Sequence, residues 1–339
     1  MQPTSFLTHA LVVAAMTLAS TRATISETAV GLLPADDGAM LIEPPHALDA
    51  ATPTPFAATF DWGGERWNLT GFEPPAGSRP APIYLLVAHT TLFDDGEAEN
   101  AAAAGMAERG FVSAWLLSRL TPHNCTRLDE AAAEIFSPER TSALAALCAR
   151  ASADCTLGVA VHGFAMGSVV AFPAAAHSPY VTAMVSFGFF NIVPGAHDCC
   201  SVTERVCCDD DAHHHAGAYL GGSPLPCCMD KELTLSLPRS RRRAIIGTAD
   251  LWFALDMDGS GPTLNDSKLG AVRQLQLASG YDCGPNATEC LGSDGSGYIL
   301  APGAGHVLSD TLRSNASWGL GATLDWLAAT ARRPRSRVQ

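Results

Sequence analysis

The sequence is poor in basic residues. Its 339 residues include 21 Lys and Arg against 34 Asp and Glu, which gives a formal net charge of −13. A chain with this charge is repelled by phosphate backbones and anionic lipid headgroups, so neither nucleic acid nor an anionic membrane is expected as its main partner. No run after residue 23 is long and apolar enough to span a bilayer, so no transmembrane segment is predicted. The pattern G-x-G-x-x-G is also missing after the first buried strand, which disfavours a Rossmann-type dinucleotide-binding domain.

Residues 1–23 are predicted to form a secretory signal peptide. The segment 6–19 is apolar but too short to cross a membrane, and Ala23 is a small residue suited to cleavage. The first residues carry no Lys or Arg, which leaves a buried N-terminal helix as the alternative. Five N-x-S/T sequons agree with passage through a glycosylating pathway, at Asn68, Asn124, Asn265, Asn286 and Asn315. The sequence therefore predicts a secreted glycoprotein, with residues 24–54 as a lead-in segment.

Eleven cysteines follow the predicted signal peptide, and in a secreted chain they are expected to form disulfides. Cys283 and Cys290 flank a Gly-Pro-Asn turn and are predicted to pair with each other. Three further cysteines leave one over, and the sequence does not say which two of them pair: Cys125, Cys148 and Cys155. The remaining six form three adjacent pairs within 198–230, which is predicted to be a disulfide-stapled cap insertion.

The insertion also contains three consecutive histidines and three consecutive aspartates within 207–215. Thiolates, carboxylates and imidazoles in one stretch could bind zinc or copper. However, extracellular cysteines are expected to be oxidised, and adjacent histidines on a loop cannot all face one ion. A glycine-rich stretch at 256–261 resembles a calcium loop but lacks the later acidic ligand, so a turn is expected there. The sequence thus predicts no metal site and no cofactor.

Predicted strands and helices alternate along most of the chain. The predicted strands are 57–61, 66–72, 83–88, 111–117, 157–161, 181–190, 244–247 and 298–300. The predicted helices are 97–109, 168–172 and 320–331, with an interrupted helical stretch over 128–153. Continuous apolar strands separated by helices predict a mostly parallel sheet that is covered by helices on both faces.

The most informative stretch is 155–172, in which an apolar strand is followed by Gly163-Phe-Ala-Met-Gly167 and then by an apolar helix. Glycines on both sides of one residue allow a sharp strand-to-helix turn that lifts this residue above the sheet. The pattern G-x-S-x-G matches at every position except the apex, where Ala165 stands in place of serine. The sequence therefore predicts a nucleophile elbow without a nucleophile.

Three motifs in this order resemble the α/β-hydrolase family over residues 55–331. Asp250 ends the stretch Ile-Ile-Gly-Thr-Ala-Asp, and His306 ends Ala-Pro-Gly-Ala-Gly-His. The resemblance implies that Asp250 orients His306, which lies over the elbow as the catalytic base. It also implies that the backbone N–H groups of Met166 and Thr90 form an oxyanion hole. The chain departs from the family pattern at Ala165 and by lacking a glycine directly after His89.

Loss of the nucleophile leads to two hypotheses. The first is a non-catalytic homologue that binds a small ester-like or apolar ligand, or a protein partner, in the old pocket. The second is an active carboxyl-ester hydrolase in which His306 and Asp250 activate water, another serine attacks, or Ala165 is a variant of the sequence. Ser168 is one helical turn past the apex and is expected to pack inside the helix layer. Asp256 is the alternative to Asp250 as the acid.

Two basic runs are predicted to be solvated. Arg239–Arg243 leads into a strand, where a solvated approach is expected in preference to a protease-processing site. Residues 332–339 are expected to form a frayed basic tail.

Overall fold

The structure is a computed structural model, and the residues it describes all fall within Leu48–Gln339. They are 52–62, 64–75, 80–88, 96–117, 128–139, 141–188, 219–220, 223–224, 237–250, 264–306, 308–312 and 314–333. The predicted signal peptide, Cys125 and nearly all of the predicted cap insertion lie outside the described residues.

The described strands form one nine-stranded sheet and one two-stranded hairpin. The strands are β1 Thr54–Trp62, β2 Glu65–Glu73, β3 Ile83–Ala88, β4 Val112–Leu117, β5 Val159–Phe164, β6 Val181–Phe187, β7 Tyr219–Leu220, β8 Ser223–Pro224, β9 Arg242–Gly247, β10 Glu289–Leu291 and β11 Gly297–Ala301. The large sheet has the order β1-β2-β4-β3-β5-β6-β9-β11-β10. Its six central strands, from β4 to β11, run parallel, and antiparallel pairs close both edges.

Helices cover both faces of this sheet. They are α1 Glu97–Glu108, α2 Leu128–Phe136, α3 Ala143–Cys148, α4 Met166–Ala171, α5 Ala174–His177, α6 Leu264–Ser279, α7 Ser309–Leu312 and α8 Leu320–Ala331. One apolar core joins the sheet to α2, α3, α4 and α6, and a second core joins its other face to α1 and α8. Every residue of β3, β5, β6, β9 and β11 is buried, because helices exclude water from both sides of these strands.

The strand order changes direction between β3 and β5. The chain leaves β3 toward α1 on one face, and it leaves β5 toward α4 on the other face. In open parallel sheets, ligand sites lie at such a reversal, beyond the carboxyl ends of the strands. The elbow predicted at Gly163–Gly167 lies at this point.

The interpretation of Arg239–Arg243 as a solvated approach is wrong for its last three residues. Arg241, Arg242 and Arg243 are between 5% and 8% exposed. Arg241 donates to the carbonyls of Thr330 and Arg333 at the C-terminus of α8, at 3.3 and 3.1 Å.

The two following arginines also donate to backbone carbonyls. Arg242 donates to Ala278 O at the C-terminus of α6, at 2.9 Å, and Arg243 donates to Gly295 O and lies over the Trp326 ring. Burial lowers the pKa of Arg242 and of Arg243 to about 10, so both remain charged at neutral pH. Carbonyls at a helix C-terminus carry partial negative charge, which offsets the cost of burying Arg241 and Arg242. The carbonyl partner of Arg243 lies in the turn between β10 and β11.

The predicted frayed tail is also corrected at its start. Arg332 lies over the Phe111 ring and donates to Arg109 O, and Arg333 lies 3.7 Å from the Asp294 carboxylate. These contacts fix the first two residues beyond α8 to the body of the protein. Residues 334–339 lie outside the described residues.

Two disulfides are present among the described residues. Cys283 pairs with Cys290, as predicted, and Cys148 pairs with Cys155. The sequence did not show which two of Cys125, Cys148 and Cys155 pair, and the structure shows that Cys148 and Cys155 do.

None of the described helices combines the length and the hydropathy needed to span a membrane.

Candidate functional site

The turn between β5 and α4 forms the centre of the candidate site. Ala165 stands between the last residue of β5, Phe164, and the first of α4, Met166. Its backbone has φ 52° and ψ −128°, and among the described residues it is the only non-glycine residue with positive φ. A side chain at such angles costs on the order of 1–3 kcal/mol, so the surrounding structure must enforce this conformation.

Close packing of two glycines enforces the turn. A Cβ on Gly167 would lie 1.9 Å from Val87 O, and a Cβ on Gly163 would lie 2.5 Å from the Cα of Ser168. Since neither distance is possible for a real Cβ, α4 can approach β3 and β5 this closely only through glycine. The Ala165 amide in addition donates to Phe187 O on β6 at 3.0 Å. The backbone around the apex therefore imposes its geometry.

Asp250 and His306 are brought together by two loops, which follow β9 and β11. The Nδ1 atom of His306 lies 2.9 Å from Oδ2 of Asp250, whose side chain is fully buried. The His306 side chain is 15% exposed, so it lies between the buried carboxylate and solvent. Because a carboxylate can only accept, the shared hydrogen places the N–H of His306 on Nδ1.

The same two loops are joined by backbone contacts. Ala249 N donates to Ala304 O at 2.9 Å, and Gly303 N donates to the Thr248 hydroxyl at 2.7 Å. A Cβ on Gly247 would lie 2.0 Å from Ala304 O, so glycine is needed for this approach. The position of His306 relative to Asp250 is thus set by the backbone as well as by their hydrogen bond.

His306 lies next to the elbow. A Cβ built on Gly188, just after β6, would be 3.5 Å from His306 Cε1 and 3.6 Å from Ala165 N. The ring of Phe164 lies 5.9 Å from the imidazole, centroid to centroid. The structure therefore brings Ala165, Asp250 and His306 together in one region.

A buried polar pair lies beneath the elbow, and the sequence reasoning missed it. The Tyr84 hydroxyl on β3 is 2.8 Å from His162 Nδ1 on β5, and both residues are at most 1% exposed. Burial lowers the pKa of His162 to about 3. Burial, followed by the charge of nearby Glu99, raises the pKa of Tyr84 well above its usual value. Both groups are neutral at physiological pH, so the pair links two strands and carries no charge. The sequence signal for this pair is a histidine, His162, within an otherwise apolar strand.

Ser168 lies where a packed helix serine is expected. It is fully buried, and its hydroxyl donates to Phe187 O at 3.2 Å. A hydroxyl that is buried and bonded to the sheet backbone in this way is not exposed to a ligand. Ser168 is therefore unsuited to replace the missing nucleophile.

Several predicted site residues cannot be placed. Thr90 of the predicted oxyanion hole, the alternative acid Asp256, the sequon Asn124 and the His- and Cys-rich run 207–215 lie outside the described residues. Met166, the other predicted donor, begins α4, one residue past the apex. Asn265 lies in α6. Asn68, Asn286 and Asn315 are exposed, as a glycosylated asparagine must be.

Among the described residues, the arrangement pairs a histidine with a buried carboxylate beside the elbow, and the apex itself carries a methyl group in place of a hydroxyl or thiol. A histidine oriented by a buried carboxylate can accept a proton from a neighbouring hydroxyl, thiol or water. The methyl group of Ala165 has no such proton. The site can therefore bind a polar group or accept its proton, but Ala165 itself cannot form a covalent intermediate.

Comparison with known proteins gives matches among solved structures alone. No protein-family model matches the chain, and no curated protein does. Est1E from Butyrivibrio proteoclasticus is 12% identical, with 80% of this chain and 96% of that chain covered at a TM-score of 0.45. An S-formylglutathione hydrolase from Agrobacterium tumefaciens is 14% identical, covering 83% and 96% at 0.45. The esterase domain of a Rhodothermus marinus protein is 15% identical, covering 83% and 99% at 0.43.

Identities this low carry no information about substrate or activity. The sheet itself defines the architecture, because its six parallel strands, antiparallel edges and strand-to-helix elbow at the reversal of strand order are all present. The chain has the α/β-hydrolase fold.

Proposed function

We propose that this chain is a non-catalytic homologue of serine carboxyl-ester hydrolases that binds a small ester-like or apolar ligand in the former active site. One observation carries the proposal. Ala165 occupies a strained elbow apex beside a His306–Asp250 pair that is in hydrogen-bond distance at 2.9 Å. The supporting groups of a triad surround a residue that cannot attack.

The replacement is expected to abolish covalent catalysis. In a triad, removal of the nucleophile alone costs on the order of a millionfold in turnover, because the three residues act as a unit. The activity that remains is ligand binding by the former active site and by any hydrogen-bond donors that line it. A protein partner bound at the same place is the other form of this proposal.

Restoring the nucleophile tests the proposal. Wild-type protein and Ala165→Ser are assayed on p-nitrophenyl butyrate and treated with a fluorophosphonate probe that labels activated serines. The wild type is expected to be inert, and the variant is expected to gain both labelling and turnover. Ala165→Gly is the matched control, since it changes the same position without adding a hydroxyl. Strong wild-type turnover that is lost in His306→Ala would overturn the proposal.

A second candidate is slow hydrolysis by water, which His306 would activate directly. The intact contact between His306 and Asp250 favours it. This activity would be resistant to fluorophosphonate, because no acyl-enzyme forms, and it would disappear in His306→Ala. The same assay therefore separates the two candidates.

Secretion and glycosylation are part of the proposal. Two disulfides and three exposed sequon asparagines support it. N-terminal sequencing of protein from a secreting eukaryotic cell is expected to begin at Thr24, and a glycosidase is expected to lower its apparent mass.

A further inference from the structure

A second carboxylate, Asp310, contacts the loop that carries His306. Asp310 lies in α7, and its Oδ2 accepts a hydrogen bond at 2.7 Å from the backbone N–H of Gly305, the residue directly before His306. We propose that Asp310 is a positioning residue, which holds the backbone next to His306 so that the imidazole meets Asp250. This inference rests on the site proposed above and adds to it a residue that belongs to none of the three sequence motifs.

The bond to Asp310 completes the hold on one peptide unit, the one that joins Ala304 to Gly305. The carbonyl of this unit accepts from Ala249 N at 2.9 Å, and its N–H donates to Asp310. Because a peptide unit is planar, hydrogen bonds at both of its polar ends fix its orientation. The Cα of His306 follows one residue later. Loss of Asp310 would leave this unit held from the Ala249 side alone.

Gly305 is the residue type that permits this contact. A Cβ built on Gly305 would lie 2.9 Å from Asp310 Oδ2 and 3.8 Å from Ala249 O. The first distance is shorter than real Cβ atoms tolerate, so a side chain here would push the carboxylate away from the amide. Hydrogen bonds with an ionised partner are about twice as strong as neutral ones, which makes a carboxylate an effective acceptor for this N–H.

The segment between His306 and Asp310 is anchored as well. Leu308 is 1% exposed and belongs to the second apolar core, and its carbonyl accepts from Thr311 N at 2.9 Å. Asp310 therefore starts from a fixed position when it reaches back to Gly305. The imidazole is oriented by two carboxylates, since Asp250 acts on the ring and Asp310 acts on the backbone before it.

A purely structural role for Asp310 makes a different prediction. Asp310 lies in the first turn of α7, where a negative charge stabilises a helix N-terminus. Asp310→Asn removes the charge but keeps an oxygen that can accept from Gly305, whereas Asp310→Ala removes both. A positioning role predicts that asparagine preserves the orientation of His306, and a charge effect on α7 predicts that it does not.

The test observes His306 directly and needs no catalysis. Protein with 15N-labelled histidine is studied by NMR, and the Nδ1–H signal of His306 is identified by its loss in His306→Gln. Exchange of this proton with water is expected to be about tenfold faster in Asp310→Ala and within about twofold of the wild type in Asp310→Asn. Asp325→Ala is the matched control, because it removes an exposed carboxylate of α8 that pairs with Arg109. It should leave the exchange rate unchanged.

Gly305→Ala provides a second variant, in which the carboxylate is kept but displaced. It is expected to speed exchange as Asp310→Ala does, while circular dichroism reports that both variants are folded. An Nδ1–H exchange rate that is the same in the wild type and in both variants would overturn the inference. A wild-type spectrum without a protected Nδ1–H signal would overturn it together with the His306–Asp250 pair.

Kinetics in the Ala165→Ser background separate this inference from the proposed function. Asp310→Ala is expected to lower kcat on p-nitrophenyl butyrate about tenfold with little change in KM, and Asp310→Asn is expected to restore it. If Ala165→Ser gains no turnover but exchange responds to Asp310, the lost-hydrolase proposal is wrong and the positioning role stands. If Ala165→Ser gains turnover but Asp310→Ala changes neither exchange nor kcat, the proposed function stands and the positioning role is wrong.

Discussion

The elbow and the histidine–aspartate pair lie side by side but are maintained by different means. At the elbow, close backbone contacts around Gly163 and Gly167 force the turn. At the pair, backbone contacts join the two loops, and a hydrogen bond between two particular side chains, Asp250 and His306, completes the geometry. An alanine at the apex therefore leaves the elbow intact, whereas an alanine at either member of the pair would remove its function.

Because the elbow and the pair are maintained differently, the side chain at the apex can change while the fold around it stays the same. A backbone-determined turn is expected to keep its shape whichever small side chain stands at the apex. The strain at Ala165 persists because its neighbours impose it, as is expected when the surroundings over-determine a residue. The elbow is thus evidence for the fold, and the pair is the better indicator of what the site can still do.

The largest expected effect tests the pair. In the Ala165→Ser background, Asp250→Asn is expected to lower kcat/KM on p-nitrophenyl butyrate by about 10⁴-fold, because an amide stabilises the wrong imidazole tautomer and does not compensate its charge. Circular dichroism should show an unchanged fold. A loss of less than tenfold would mean that His306 is oriented by other contacts.

The next effect tests the elbow. Gly167→Ala places a Cβ 1.9 Å from Val87 O, so β3 or α4 must move, at an expected cost of about 3 kcal/mol in the free energy of unfolding. Gly321→Ala is the matched control, because its Cβ meets nothing within 4 Å in α8. Alanine has the higher helix propensity, so this control should gain up to about 1 kcal/mol. Urea denaturation measures both, and equal stability of the two variants would contradict a packed elbow.

The features that were predicted best from the sequence are those that local sequence and backbone geometry determine. The strand 83–88 and the helix 320–331 were predicted with their observed bounds, since both are long apolar runs bordered by turn residues. Gly163 and Gly167 indicated the elbow because only glycine permits that approach. Asp250 and His306 were found through the family pattern, since a sequence separation of 56 gives no local signal of contact.

Features that depend on tertiary partners were missed. The helix α6 has a polar sequence, and its buried stripe consists of a few residues such as Val272 and Leu275. The burial of Arg241 and Arg242 could not be anticipated, because their partners are helix C-termini that become neighbours only in the folded sheet. The contact between Tyr84 and His162 likewise requires the register of β3 against β5.

The third prediction concerns His162, on the strand that leads into the elbow. Its pKa is about 3 in the folded state and about 6.5 when unfolded, so the unfolded chain binds more protons between these values. Its contribution is fully present above pH 6.5 and is lost as the pH falls toward 3, by about 1.4 kcal/mol per unit. Relative to His162→Gln, the wild type should therefore lose about 2 kcal/mol between pH 7 and pH 5. Parallel stability curves in urea titrations would show that His162 does not titrate in this way.

The smallest expected effect on the free energy of unfolding is at the elbow apex, Ala165. Ala165→Gly removes the Cβ that is strained at φ 52°, a gain of about 1–3 kcal/mol, but it adds about 0.4–1 kcal/mol of backbone entropy to the unfolded state. The net expectation is a stabilisation of about 1 kcal/mol, opposite in sign to the effect at Gly167. Thermal and urea unfolding of the two variants side by side measure this contrast. A destabilised Ala165→Gly would mean that the Ala165 methyl group, 7% exposed, contributes packing that outweighs its backbone strain, and the apex would then depend on its side chain after all.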